Sequence, residues 1–325
     1  MNLSDIQTHF HTNAQCREYL ESVRWNDGIY CAHCGSTSSI TKRKDSHIYH
    51  CNACNRDLTV FINTIFEHSR LPLTKWFTVI ALMLDAKRGM ATMQISRHVG
   101  CSYATAWYIT MRIRCAMVED IVLDGLIEGD DPYIGGAPRR HYKKAENVTS
   151  LSHVVQDGEK LNISNSKRGR GTSKAKVAGL VERKGKVVLK MMETFNTRSM
   201  LSLLKHHLQS KRAVVVTDDA KFYHKFDELV QHLIIKHKEA FAQGNVHINT
   251  IEGFWSIIKT GIKGQYRSLS KKYLPFYLAE FAYKYNRRHQ PKLQFEEYIQ
   301  RALDCDKCFT YAKPNKPVKQ LVYGT

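Results

Sequence analysis

Two sets of residues have the types and spacing to do chemistry. The first is three acids. The apolar run from Leu123 closes on Glu128-Gly129-Asp130-Asp131, and the β-branched run Ala213 to Val216 closes on Thr217-Asp218-Asp219. Glu252 lies in the stretch His247 to Lys259, where Ile251, Phe254, Trp255 and Ile258 repeat at the spacing of a buried helical face. Taken singly, each Asp reads as a turn or cap residue, and Glu252 with Lys259 as a solvated pair beside a core helix. Taken together, two strand ends and a helix can bring Asp130, Asp218 and Glu252 to one place. Three carboxylates cannot stay ionised side by side without a cation. Their natural guest is a hard divalent ion, Mg2+ or Mn2+. Two such ions about 4 Å apart are the apparatus of in-line phosphoryl transfer. Lys259 follows Glu252 by seven residues, two helical turns on and on the same face.

The second set is four cysteines. Cys31-Ala-His-Cys34 and Cys51-Asn-Ala-Cys54 are two knuckles separated by a stretch suited to a hairpin. Each knuckle supplies two thiolates, and together they predict a closed tetrahedral site for one structural Zn2+. The chain has nine cysteines, an odd number, which favours a reducing compartment over a disulfide framework. Cys305-Asp-Lys-Cys308 has no second pair and is set aside.

The elements that must position these groups follow from periodicity. A short helix is expected over 13–24, a strand over 56–61 after the second knuckle, and an apolar helix over 74–87. Residues 90–99, a turn at Gly100, and 103–117 read as a helix-turn-helix. Its second helix would present Ser102, Tyr103, Thr105 and Arg112 to DNA, with Arg114 beside them. Strands over 176–182 and 186–192 flank Arg183-Lys184-Gly185, a hairpin turn, and a helix is expected over 197–209. The aromatics between Tyr266 and Tyr285 read as core rather than base platforms.

Charge names the partner class. Lys and Arg number 49 against 30 Asp and Glu, a formal net charge of +19, which favours a polyanion, nucleic acid first. The basic stretch 137–176 includes Arg139, Arg140, Lys167, Arg168 and Arg170 and is expected to track phosphates; Lys263 adds to the field after Lys259. No run approaches 18 apolar residues, and no secretory signal is evident, so no membrane partner is expected.

The set Glu128 to Gly136, Thr217-Asp218-Asp219-Ala-Lys-Phe-Tyr223 and His247 to Gly261 resembles the DDE transposases of bacterial insertion sequences, closest to the zinc-ribbon subgroup related to Merlin elements. The resemblance extends from Arg24-Trp25 through the cysteines and the helix-turn-helix to Phe281 through Arg288. It implies an α/β fold: an RNase H-like mixed sheet with flanking helices, preceded by a small zinc ribbon and a helix-turn-helix module. The expected organisation is 1–26 helical, 27–66 zinc ribbon, 67–120 helix-turn-helix region, 121–300 catalytic, and 301–325 tail. Carried over position by position, Asp130, Asp218 and Glu252 are the metal-binding acids and Lys259 meets a terminal DNA phosphate. His247 and Asn249 match a His-x-Asn lead-in that positions DNA or the helix start. Gly129 departs from the pattern, standing where a branched residue is expected and weakening its strand. Asp131 and Asp219 stand where the family often has Glu.

The implied function is transposition. The protein would bind the terminal inverted repeats of a mobile element in double-stranded DNA, cleave the strands in a metal-dependent step and join them to target DNA. It would act as a homodimer or higher oligomer, cytoplasmic in a bacterium or nuclear for a eukaryotic element. The rival is a catalytically inactive, transposase-derived DNA-binding regulator. Under either reading the charge predicts that DNA affinity falls by on the order of a thousandfold between about 50 and 200 mM salt. Fluorescence anisotropy titrations measure this, and a flat salt response would contradict the phosphate-tracking role.

Overall fold

The computed structural model describes residues 3–44, 46–135, 174–235, 247–290, 293–305, 309–310 and 313–314. Two short helices open the chain, α1 (Leu3–His9) and α2 (Asn13–Arg24). α2 starts where Thr12 and Gln15 cap it reciprocally: the Gln15 amide donates to Thr12 Oγ1 and the Thr12 amide to Gln15 Oε1. Strands β1 (Ile40–Lys42), β2 (Tyr49–Cys51) and β3 (Arg56–Leu58) form a small antiparallel sheet in that order. β3 stops at Leu58, short of the expected Phe61, as residues 60–61 leave the ladder for turns.

Three helices follow: α3 (Leu73–Asp85), α4 (Thr92–Val99) and α5 (Tyr103–Ala116). The α4–α5 turn is the one the sequence marks. Gly100 adopts a left-handed conformation (φ 59°), and the Cys101 amide reaches back to the Ser96 carbonyl at 3.1 Å. Ser102 caps α5, accepting from the Thr105 amide at 3.1 Å.

The larger sheet begins with β4 (Leu126–Asp130) and β5 (Tyr133–Ile134), which run on along the same neighbour, β6 (Ala175–Glu182). β7 (Val187–Met192) pairs with the other edge of β6 through the expected hairpin. Helix α6 (Thr197–His207) crosses over to β8 (Val214–Asp218), and a 3-10 segment, Lys221–Glu228, leads to β9 (Gln231–Ile235). β8 is parallel to β4, and β9 is parallel to β8. This is the mixed sheet expected, six strands with antiparallel pairing among β4, β5, β6 and β7 and parallel pairing among β4, β8 and β9.

Alternation assigns the two faces. Ile127, Ala178, Leu180 and Val215 pack on α6 and the aromatic side chains Phe222, Tyr223 and Phe226. Val177, Val181 and Val216 pack on α7 (Asn249–Gly261) and α8 (Leu274–Asn286). A last helix, α9 (Gln294–Asp304), passes the expected boundary at 300 and packs back among the N-terminal helices, with Phe295, Tyr298 and Ala302 in one core with Phe77 and Ile113.

A buried ionic group locks α5 to α8. Arg114 and Glu280 are both fully buried and meet at 2.7 Å, with the guanidinium 4.0 Å from the centroid of the Tyr277 ring. Lys284, one turn after Glu280, binds it at 2.7 Å and also donates to the Ala86 carbonyl past the end of α3. Burial alone would raise the Glu280 carboxyl; the ammonium of Lys284 and the guanidinium of Arg114 outweigh it and hold the carboxyl below the usual range. A depressed folded-state value gives stability that is present at neutral pH and lost as pH falls through that value. Glu280→Gln is expected to cost about 3 kcal/mol at neutral pH by leaving two buried cations short of a partner. Denaturant melts at several pH values should also show that the variant lacks this part of the acid destabilisation.

Candidate active site

β4 and β8 run parallel with Glu128 opposite Val216, so two residues further on Asp130 stands level with Asp218 at the strand ends. Both lie on the α7 face, since Val216 two residues before Asp218 packs there. Asp130 is half-buried and accepts the Asp131 amide at 2.8 Å; Asp218 accepts the Ala220 amide at 3.2 Å. Burial pushes the Asp130 carboxyl above its usual value, and the carboxylates of Asp218 and Glu252 push the same way while Lys259 opposes them. Asp218, Glu252 and Lys259 thus lie close enough for their charges to bear on Asp130. Among the described residues the three carboxylates do not close into a cage with all ligand oxygens within 4.8 Å.

Two glycines let the elements come this close. Gly179 pairs with Asp130 across β4 and β6, and a Cβ there would fall 2.5 Å from Cζ2 of Trp255 on α7. Only a residue without a side chain lets the indole lie on the sheet. The fit at Gly129, on the opposite face, is less strict: a Cβ would sit 3.2 Å from Thr217 Cγ2 and 3.3 Å from Leu180 Cδ2, which would have to give by a few tenths of an ångström. The strand ladder passes through Gly129 to Asp130, so the glycine does not interrupt the pairing.

The amino end of α7 has no side-chain cap of its own. A residue not singled out by type or spacing supplies one: Glu128 is wholly buried and accepts from the Thr250 amide at 2.8 Å and the Ile251 amide at 3.0 Å. Arg183, from the β6–β7 turn, donates to Glu128 at 2.6 Å and to the His247 carbonyl at 2.7 Å. His247 Nδ1 lies 3.0 Å from Arg183 Nη2, 3.4 Å from the Asn249 amide and 3.5 Å from Glu128 Oε1, so the ring joins the same cluster in front of the helix. Asp131 is held by the Tyr223 hydroxyl at 2.8 Å.

The four cysteines converge. Cys31 Sγ lies 3.7 Å from Cys54 Sγ, and Cys34 Sγ lies 3.8 Å from Cys51 Sγ, with all four sulfurs within 4.8 Å of one another. Four thiolates around a tetrahedral ion with bonds of about 2.3 Å would stand about 3.8 Å apart. The cluster therefore fits a structural zinc site. Asp120, His206 and His207 form a second group able to hold an ion. It sits where Leu123 bridges Leu208, at the start of the β4 strand line, whereas Asp130 and Asp218 sit at the strand ends. It is a separate location from the acids.

The sequence model of the ISXO2-like transposase domain matches residues 122–286, half of the chain, and that of the transposase zinc-ribbon domain matches residues 11–57. The chain belongs to the ISXO2-like transposase family. A Halobacterium salinarum relative, described as an uncharacterized protein in transposable element ISH50, is 26% identical over 281 residues, covering 84% of the transposase and 90% of that protein. Structures matched over much of the chain include the Mos1 strand transfer complex (14% identity, TM-score 0.28) and a pre-cleavage Mos1 transpososome (13%, TM-score 0.27). Each match covers 75% of the transposase and 82% of the Mos1 chain.

The expected DNA contacts of the transposase divide by position. Ser102 and Tyr103 are exposed at the start of α5, with Thr105 half-buried behind them. Asn249, Lys259 and Lys263 are exposed along α7 and the turn after it. Arg112 is not available: it is buried at 5% exposure, donates to the Glu67 carbonyl at 2.8 Å and lies over the Tyr108 ring. α5 is a core helix beyond its first turns, and its two arginines hold the fold together. Arg139, Arg140, Lys167, Arg168 and Arg170 lie outside the described residues. No helix among the described residues is long and apolar enough to cross a membrane.

Gly179→Ala tests how tightly α7 is seated. The added Cβ must displace Trp255, at an expected cost of about 1–3 kcal/mol from overpacking. Thermal melts measure that cost, and DNA cleavage by the variant should fall more than its DNA binding.

Proposed function

We propose that this transposase cuts the ends of a mobile element and joins them to target DNA, with Asp130, Asp218 and Glu252 holding the catalytic divalent ions. One observation carries the reading: two parallel strands deliver Asp130 and Asp218 level with each other, and α7 lays Glu252 and Lys259 within electrostatic reach of Asp130. Two bound Mg2+ or Mn2+ ions would supply the Lewis acidity that phosphoryl transfer requires at the attacking and leaving oxygens. The rest belongs to the chain. Lys259, exposed two turns beyond Glu252, binds a phosphate of the DNA end. Ser102, Tyr103 and Thr105 at the start of α5 meet the duplex, and Lys263 and the basic segment 137–176 add phosphate contacts. Cys31, Cys34, Cys51 and Cys54 hold one Zn2+ that folds the ribbon. Element ends are recognised as terminal inverted repeats, and pairing two of them requires at least a dimer on DNA.

Acids delivered by two parallel strand ends and a helix have no use in a protein that only binds DNA, which separates this reading from a regulator derived from a transposase. Glu252→Gln removes one ligand charge at an exposed position and should leave the fold intact. Cleavage and strand transfer on end-bearing DNA should fall by on the order of a thousandfold, the scale of losing one catalytic group. End binding in a gel-shift assay should be unchanged. Undiminished transfer would remove Glu252 from the site.

A further inference from the structure

Glu128 is a carboxylate without solvent exposure on the strand that ends in Asp130, and both of its oxygens are engaged. Oε2 accepts the amides of Thr250 and Ile251; Oε1 accepts the Thr250 hydroxyl at 2.8 Å and Arg183 Nε at 2.6 Å. Thr250 and Ile251 are the second and third residues of α7, the positions whose amides an N-cap side chain ordinarily satisfies. Ile248, at the N-cap, has no acceptor to offer. The cap therefore comes from a strand residue 122 positions earlier in the chain.

We infer that Glu128 is a positioning residue: by capping α7 it fixes Glu252 relative to Asp130 and so sets the affinity of the site for divalent ions. This rests on the reading in which Asp130 and Glu252 hold those ions. The geometry makes the link short on both sides. Glu128 is two residues from Asp130 along β4, one pleat repeat, and on the same face. Thr250 is two residues from Glu252 along α7. The backbone at neither acid can shift by much without straining a hydrogen bond of the cap. The charge arrangement agrees. A carboxylate at a helix amino end is favourable, and Arg183 compensates the buried charge while holding the His247 carbonyl in front of the helix. The Thr250 hydroxyl adds a bond that a plain cap would not need.

The test uses the full-length, zinc-loaded protein and two variants, Glu128→Gln and Thr250→Val, with Asp130→Asn as control. Hydrogen exchange of the metal-free protein, read on peptides covering His247 to Glu252, reports the cap; the Mn2+ binding seen by calorimetry in the wild type and lost in Asp130→Asn reports the ion site, apart from any ion held by Asp120, His206 and His207. Glu128→Gln is expected to exchange faster over that segment and to bind Mn2+ about 10- to 100-fold more weakly, the usual consequence of losing an outer-shell partner. Raising Mn2+ should restore its DNA cleavage, whereas Asp130→Asn should stay inactive. Thr250→Val keeps the buried charge and should show the same changes to a smaller degree, so the inference remains testable if Glu128→Gln fails to fold. Wild-type Mn2+ affinity in the folded Glu128 variant, or in Thr250→Val where that variant alone folds, overturns the positioning role. Wild-type affinity in Asp130→Asn overturns the underlying assignment of the acids instead.

Discussion

A wholly buried carboxylate joined to the first turn of a helix is the constraint on which the catalytic half of this protein depends. Glu128 meets two backbone amides, a hydroxyl and a guanidinium, so its burial is compensated donor by donor. The helix it caps has no local substitute, and that helix carries the third acid and the lysine beyond it. Sheet and helix are then pressed together by Trp255 on the bare backbone of Gly179, which is the ladder partner of Asp130. Cap and indole seat α7 at two places, one at its start and one near its middle. A helix held twice leaves little freedom for Glu252 relative to the strand ends.

Buried charge likewise joins α5 to the larger sheet. α5, whose exposed first turn faces outward with Ser102 and Tyr103, runs on into the core and ends in the buried Arg114–Glu280–Lys284 group. Glu280 and Lys284 lie on α8, which packs on the same sheet face as α7. Lys284 also binds the backbone at the end of α3. α5 and the larger sheet are therefore linked through buried charge pairs rather than a loose connection. α9 strengthens this arrangement by returning from the end of the catalytic region to the N-terminal core.

Much of this was legible in the sequence where a pattern is local. The cysteine pairs, the turn at Gly100, the hairpin at Arg183-Lys184-Gly185 and the strand closing on Asp218 each carry their signal within a few residues, and each is present. The family likewise followed from ordered motifs. What was not legible depends on partners far away in the chain. Glu128 stands in a run of acids and looks like its neighbours; only the pairing of β4 with its surroundings shows that it faces α7. Arg112 reads as a surface charge on a recognition helix, yet α5 is enclosed on nearly all sides and the arginine turns to a backbone carbonyl. Gly129 reads as a weak point because its neighbours Thr217 and Leu180 are distant in sequence. α9 crosses the expected boundary because its apolar face answers to a core formed by the first third of the chain.

We assign the divalent-ion site of this transposase to Asp130, Asp218 and Glu252. Anomalous diffraction from crystals of the zinc-loaded protein grown with Mn2+ tests it most directly. The account predicts a Mn2+ peak bounded by those three carboxylates, with the zinc signal confined to the four cysteines. Mn2+ bound only at Asp120, His206 and His207, with no peak at the strand ends, would contradict it.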